Sequence, residues 1–189
     1  MASKRFNPAK LEKLNNPERL SELPVSFIAT RAGLVEPEVI VDLGAGTGLY
    51  SRAFAELFTN SIIYALDVSS VMVEWMAEHV VPRYPRIKPL IMDDGVVPLE
   101  DESVDFLLMV NLHHEIDDAE ATVREAHRVL KKGAAIAISD WRKEEMEIAP
   151  SVAIRVDERQ VADDLKRRGF RDIRTFNQFC YNYLVIARR

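Results

Sequence analysis

Among 189 residues the sequence has a single cysteine, Cys180. One thiol cannot close an internal disulfide, and alone it holds neither a thiolate zinc cage nor an iron–sulfur cluster. No apolar run approaches the ~20 residues that a membrane-spanning helix needs. The opening MASKRFNPAK lacks the apolar core of a secretory signal. Both absences point to a cytoplasmic protein without membrane insertion. An excess of positive charge is also missing: 25 basic residues stand against 30 acidic ones, a formal net charge of −5. Affinity for nucleic acid comes from clustered lysine and arginine, so nucleic acid is not an expected partner. The one local basic run, Lys166-Arg167-Arg168, falls at the expected end of a helix, where cations offset the negative end of the dipole. Glycine numbers only 7, yet Gly44, Gly46 and Gly48 crowd into one short loop.

What is present suits an ordinary globular chain, with 48% hydrophobic and 29% charged residues and no internal repeat. The length suits one domain with a full core. Strand-like and helix-like runs alternate. Strands are expected at Val39–Leu43, Ser61–Asp67, Lys88–Met92, Val104–Val110 and Ala134–Ser139. Between them lie helical patterns carrying Tyr50, Phe54, Leu57 and Phe58, then Met72, Trp75, Met76 and Val80, then Ala119, Val123, Ala126 and Leu130. Ser69 or Ser70 is the expected cap of the second, and Lys131-Lys132-Gly133 reads as the cationic, glycine-stopped end of the third. Asp157 with Gln160 fits a capping box for a further helix that closes at Gly169. The last runs, near Asp172–Phe176 and Cys180–Ala187, are too close together for a helical crossover, so they form an antiparallel hairpin. The fold class is therefore α/β: a doubly wound, mostly parallel, Rossmann-like sheet of seven strands with a reversed last strand and helices on both faces.

Three glycines directly after a buried strand, at the mouth of a helix, let a ligand lie against bare backbone. Dinucleotide binding would favour small residues at the first, third and sixth loop positions, but here the sixth is Leu49. Asp67 ends the second strand, where a carboxylate either caps the next helix or accepts from both hydroxyls of a ribose. Asp93 and Asp94 end the third, where they either meet an adenine or form a turn before Gly95.

These residues resemble a known family. D-L-G-A-G-T-G after strand one, Asp67 ending strand two and P-L-E-D-E-S-V-D-F leading to strand four look like the class I S-adenosylmethionine-dependent methyltransferases. The likeness runs from about Val39 to Ser139 and on through the terminal hairpin. F-N-P-A-K-L-E-K-L-N-N-P-E-R resembles the opening of small prokaryotic members, similar to the type 11 methyltransferase domain. The resemblance implies S-adenosyl-L-methionine as cofactor. Gly44, Gly46 and Gly48 would line its methionine end, with Asp42 near the ammonium. Asp67 with Val68 would hold the ribose, Asp93 and Asp94 would face the adenine, and Asn111 would lie under the methionine part. Tyr50 either closes over the cofactor or joins the core. One methyltransferase domain over residues 1–189 is expected: 1–36 an N-terminal helical cap, 37–140 the cofactor-binding core, and 141–189 a lid segment, helix and hairpin.

Methyl transfer from a sulfonium needs alignment and a dry pocket, and needs a base only if the acceptor must lose a proton. The acceptor pocket of such a sheet lies beyond strands four and five. There the sequence offers N-L-H-H-E-I-D-D, Asn111 to Asp118, and D-W-R, Asp140 to Arg142. Asp117 with Glu120 fits a capping box, leaving His113, His114 and Glu115 at the pocket rim. Consecutive histidines point different ways, so no metal is expected. His114 and Glu115 are the candidate catalytic residues, with His114 ahead because imidazole titrates near neutrality. His113, Asp140, Trp141 and Arg142 are the candidate substrate contacts, Trp141 being either an aromatic wall or partly buried packing, and the charged R-K-E-E-M-E-I-A-P stretch is either a lid or a solvated connection. N-L-H-H lacks the prolines and aromatic of enzymes that methylate amino groups of nucleic-acid bases, so a small-molecule acceptor is expected. An NAD(P)-dependent oxidoreductase and a non-catalytic S-adenosylmethionine-binding protein remain as alternatives.

Overall fold

The computed structural model describes residues 14–189, so the F-N-P-A-K-L-E-K part of the N-terminal motif lies outside the described residues. Two short helices come first, α1 (Glu18–Glu22) and α2 (Val25–Ala32). Then β1 (Val39–Leu43), α3 (Leu49–Leu57), β2 (Ile62–Asp67), α4 (Ser70–His79) and β3 (Ile87–Ile91) alternate. They are followed by β4 (Val104–Val110), α5 (Ala119–Val129), β5 (Leu130–Trp141), α6 (Glu158–Arg167), β6 (Arg171–Phe176) and β7 (Asn182–Arg188).

The seven strands form one sheet in the order β3-β2-β1-β4-β5-β7-β6. β1 pairs in parallel with both β2 and β4, while β7 runs antiparallel to both β5 and β6. The chain reverses its direction of winding between β1 and β4, and the crevice outside the carboxyl ends of those strands is where an open sheet binds ligands. Period-two alternation sends successive side chains to opposite faces. Ile40, Phe106, Leu108 and Ala137 pack under α2, α3 and α4, whereas Val41, Leu107, Met109 and Ile138 pack under α5 and α6. Covered on both sides, β4 has no need of a polar face, which explains VDFLLMV. Among the described residues no helix is long and apolar enough to cross a membrane.

Three local expectations need correction. Lys131-Lys132-Gly133 does not end a helix: α5 stops at Val129 and these residues begin β5. Lys131 Nζ bonds Asp105 at 2.7 Å, and the Gly133 N–H donates to the carbonyl of Arg189, the far end of the chain, at 3.0 Å. Asp118, not Asp117, caps α5 by accepting from the Ala121 N–H, and Glu120 leaves the supposed box to pair with Arg168. At α6 Asp157 is the cap, accepting from the Arg159 N–H, but Gln160 bonds Asp164 instead of reaching back. In both helices a solvent-side partner outcompetes the second bond of the box. The hairpin and the cationic end of α6 lie where expected.

Candidate active site

The glycine loop turns sharply from β1 into α3, with Gly44, Gly46 and Gly48 all in the left-handed region at φ 72°, 56° and 72°. A side chain there is strained, which accounts for glycine. Space adds a second reason at two positions. A Cβ on Gly44 would meet the side chain of Leu112 at 2.7 Å, and one on Gly48 would come within 3.1 Å of Met76 Sδ. These two glycines thus admit neighbouring side chains, beyond the ligand contact that the sequence suggested. Thr47, in the same loop, is 1% exposed and its hydroxyl is buried without a partner among the described residues.

Asp67 closes on this loop. Its Oδ2 accepts from the Gly46 N–H at 2.8 Å and its Oδ1 from the Ser69 N–H at 2.9 Å. The carboxylate therefore fixes the loop and the start of α4, whose cap residue Ser69 makes no side-chain cap bond. Burial pushes the Asp67 carboxyl above its ordinary range, against the pull of its N–H donors. Asp42, at the end of β1, accepts from Ser51 Oγ at 2.6 Å. Burial raises it to about 6, with the Ser51 bond opposing and the Asp67 charge adding. Arg19 is the nearest cation: it lies 5.8 Å from the centre of the Tyr50 ring, donates to the Leu14 carbonyl, and attracts Asp42. Burial lowers its own affinity for the proton. Tyr50 itself belongs to the core, its hydroxyl donating to the Arg19 carbonyl at 3.1 Å.

These groups suit a nucleoside bearing an amino acid: a carboxylate at the end of β2 can accept from ribose hydroxyls, a buried acid can attract a cation, and an arginine can donate to a carboxylate. Val68, Asp93 and Asp94 are exposed beside them at the ends of β2 and β3. The Asp93 carbonyl accepts from the Val96 N–H, so this segment is also a turn around Gly95 on the way from β3 to β4. Asn111 adopts φ 54° just beyond β4, a conformation that asparagine tolerates better than most residues. Its N–H donates to the Ser139 carbonyl at 2.8 Å, and its Oδ1 accepts from Asn182 Nδ2 at 2.6 Å.

Beyond Asn111, residues His113–Glu115 make one turn of 3₁₀ helix. Both histidines are buried, 2% and 5% exposed, and not at an open rim. His114 Nδ1 lies 2.7 Å from Asp140 Oδ1, its backbone N–H donates to Asp140 Oδ2 at 3.0 Å, and its Nε2 is 3.7 Å from Glu115 Oε1. Asp140, 1% exposed, also accepts from the Trp141 N–H. Both of its oxygens thus already accept from neighbours in this buried position. His113 points elsewhere; neither ring nitrogen has a partner among the described residues, and burial lowers its proton affinity although Asp140 and Asp164 oppose this. Trp141 is half-buried, while Arg142 turns to Glu144 and to the Phe179 carbonyl of the hairpin turn. The charged stretch after it is tethered: buried Arg155 donates to the carbonyls of Arg142, Glu144 and Pro150.

Arg19, Ser51, Arg155 and Asn182 were not singled out in the sequence. Only Ser51 stood in a visible position, one turn after the glycine loop, where a small hydroxyl suits close contact with β1. Asn182 meets Asn111 across 71 residues, and the carbonyls that Arg155 gathers are brought to it by the path of the segment after β5, which no local pattern shows.

Comparison with known proteins agrees with this geometry. Residues 41–138 match the family model described as a methyltransferase domain. A SAM-dependent methyltransferase from Aquifex aeolicus superposes with a TM-score of 0.90 at 30% identity, covering 97% of this chain and 98% of that one. Malonyl-[acyl-carrier protein] O-methyltransferase of Methylococcus capsulatus is 27% identical over 148 residues, 73% of this chain and 54% of the relative. Demethylmenaquinone methyltransferase of Tropheryma whipplei is 28% identical over 118 residues, 62% of this chain and 48% of the relative. The chain spans about half the length of these curated relatives. The chain belongs to the methyltransferase-domain family, class I in fold and dependent on S-adenosylmethionine.

Proposed function

We propose that this protein transfers a methyl group from S-adenosyl-L-methionine to a small-molecule acceptor. The observation that carries the reading is the pair of carboxylates, Asp42 and Asp67, drawn together under a left-handed glycine loop, with the Asp67 carboxylate bonded to the loop itself. When bound, the cofactor supplies an electrophilic methyl group on a positively charged sulfur. Asp67 and Val68 hold its ribose, Asp93 and Asp94 face its adenine, and Gly44, Gly46 and Gly48 admit its methionine end. Asp42 attracts the ammonium, Arg19 the carboxylate, and Asn111 supports the chain between them. Two acids, Asp42 buried and Asp67 half-buried, favour a cationic ligand over the anionic pyrophosphate of a nicotinamide dinucleotide. That comparison, together with Leu49 in the loop, sets the oxidoreductase reading behind.

The acceptor lies beyond β4 and β5, next to His113, His114, Glu115 and Trp141, and residues 37–140 form the cofactor-binding core of a single cytoplasmic domain. The named relatives act on a malonyl thioester of acyl-carrier protein and on demethylmenaquinone, so the common core does not dictate the acceptor. Incubation with isotopically labelled methyl donor and a fractionated small-metabolite extract tests the reading. Acceptor-dependent formation of S-adenosylhomocysteine, with label in a small product, is the expected result. Cofactor binding without turnover in any fraction would favour the non-catalytic binder.

A further inference from the structure

We propose that Asn182, at the start of the reversed strand β7, is a positioning residue for the cofactor: it holds the Asn111 side chain so that Nδ2 donates to the methionine carboxylate of S-adenosylmethionine. The inference rests on the methyl-transfer reading above and on the place given there to Asn111. Leu43 lies beside Met109 in the sheet, so Asn111, two residues further along the chain, stands next to the glycine loop. Leu112, which follows it, packs against Gly44.

Asn111 is fixed at both its main chain and its side chain. Its N–H donates to the Ser139 carbonyl at 2.8 Å, and its Oδ1 accepts from Asn182 Nδ2 at 2.6 Å. Ser139 is itself tied to β7, because its Oγ donates to the Tyr183 carbonyl at 2.7 Å. Since β5 lies between β4 and β7, the two amides form a crossbar over the end of β5. These ties keep Asn111 in its left-handed conformation, φ 54°, which a residue retains where the surrounding structure holds it.

Packing does not require an asparagine at 182. The residue is 7% exposed and shares a face of β7 with the core residues Leu184 and Ile186. A buried amide there is costly, and the bond to Asn111 is the one hydrogen bond its side chain makes among the described residues. An apolar side chain of similar size would fill the place without that cost. What the amide does is spend Asn111 Oδ1. Asn111 Nδ2 makes no hydrogen bond among the described residues and is not sealed from solvent, so the end left for a ligand is a donor. At the amino-acid end of S-adenosylmethionine the ammonium and the sulfonium cannot accept a hydrogen bond, whereas the carboxylate can. A fixed donor beside the methionine part therefore selects the carboxylate, which it shares with Arg19, and leaves the ammonium to Asp42.

The test compares two ligands by calorimetry: S-adenosylhomocysteine and its decarboxylated analogue, which keeps the amine and lacks the carboxylate. Asn182→Leu should weaken S-adenosylhomocysteine by about fivefold or more. The same variant should change the decarboxylated analogue by less than about twofold. Arg19 remains in the variant, so discrimination between the ligands shrinks without vanishing. Asn182→Ala should give the same pattern, and urea midpoints report whether each variant is folded. Asn111→Asp keeps an acceptor for Asn182 but places a carboxylate oxygen where Nδ2 stood, and should weaken S-adenosylhomocysteine further than Asn182→Leu does. Equal losses for both ligands, or failure of both Asn182 variants to fold, would make Asn182 a structural residue and overturn the proposal. Unchanged affinity in Asn182→Leu, or wild-type affinity in Asn111→Asp, would overturn it as well. Failure of the wild-type protein to bind S-adenosylhomocysteine would instead remove the methyl-transfer reading, so the two failures are distinguishable.

Discussion

Ser51 Oγ donates to Asp42 Oδ2 at 2.6 Å, tying the first turn of α3 back to the end of β1 beneath the glycine loop. Asp42 is buried there, and burial raises its carboxyl to about 6. A cationic ligand favours the ionised form, so below pH 6 binding must expel a proton. Affinity for S-adenosylmethionine should fall by about tenfold from pH 7 to pH 5. Calorimetry in buffers of different ionisation enthalpy measures both the affinity and the proton released. Asp42→Asn should remove the dependence, and an affinity equal at the two pH values in the wild type would reject the role of Asp42.

The same carboxyl affects folding stability. Its folded value lies above the ordinary 3.8 of a free aspartate, so the folded state retains a proton that the unfolded state has lost. Stability contributed by this group is therefore highest below 3.8 and is lost as pH rises through about 6. Ser51→Ala leaves the ionised carboxylate without its donor and should destabilise the fold by ~1–3 kcal/mol at pH 7. At pH 4 the protonated acid is less demanding, so the loss in urea midpoint should be smaller. Equal losses at both values would contradict the burial argument.

His113 should behave in the opposite sense. Burial lowers its proton affinity below the ordinary 6.5 of a free histidine, so the unfolded state takes up the proton first as pH falls. The contribution of the neutral ring is present above 6.5 and is lost as pH drops through its lowered folded value. His113→Leu removes a buried imidazole with neither nitrogen partnered among the described residues, and should stabilise the protein by ~1 kcal/mol or more at neutral pH. The advantage over wild type should grow on acidification. Thermal unfolding at pH 7.5 and pH 5.5 checks it; parallel shifts would mean that His113 does not titrate with folding.

Arg155 supports the segment that follows β5. Its guanidinium donates to three carbonyls, those of Arg142, Glu144 and Pro150, from a buried position. Arg155→Lys retains charge but not the planar fork, so it should not restore these bonds. A loss on the order of 2–4 kcal/mol is expected for Arg155→Ala. Hydrogen exchange across residues 142–150 should accelerate in both variants while β4 and β5 stay protected. Unchanged exchange there would show that the tether does not hold the segment.

Residues that depend on local pattern were legible in the sequence. β4 spans Val104–Val110 as read, because a strand covered on both faces needs an unbroken apolar run. The glycine loop and Asp67 were legible because backbone conformation and strand ends leave clear residue choices. Long-range partners were not. Lys131-Lys132-Gly133 has every local mark of a helix stop, yet pairing of Gly133 with Arg189 makes it strand. Likewise the sequence shows two adjacent histidines, but not that His114 alone meets Asp140, nor that Asn111 meets Asn182. Asp140 was read as a substrate contact because it ends a strand beside the pocket; only its three bonds reveal that it faces inward.

The most direct measurement is a calorimetric titration with S-adenosylhomocysteine of the wild type and of Asp67→Ala. Asp67 carries the bonds to Gly46 and Ser69 that shape the loop, and in the proposed function it also supplies the acceptor for the ribose. Micromolar binding by the wild type, weakened by about tenfold or more in the variant, is the expected result. No heat and no thermal shift with the wild-type protein would contradict the account.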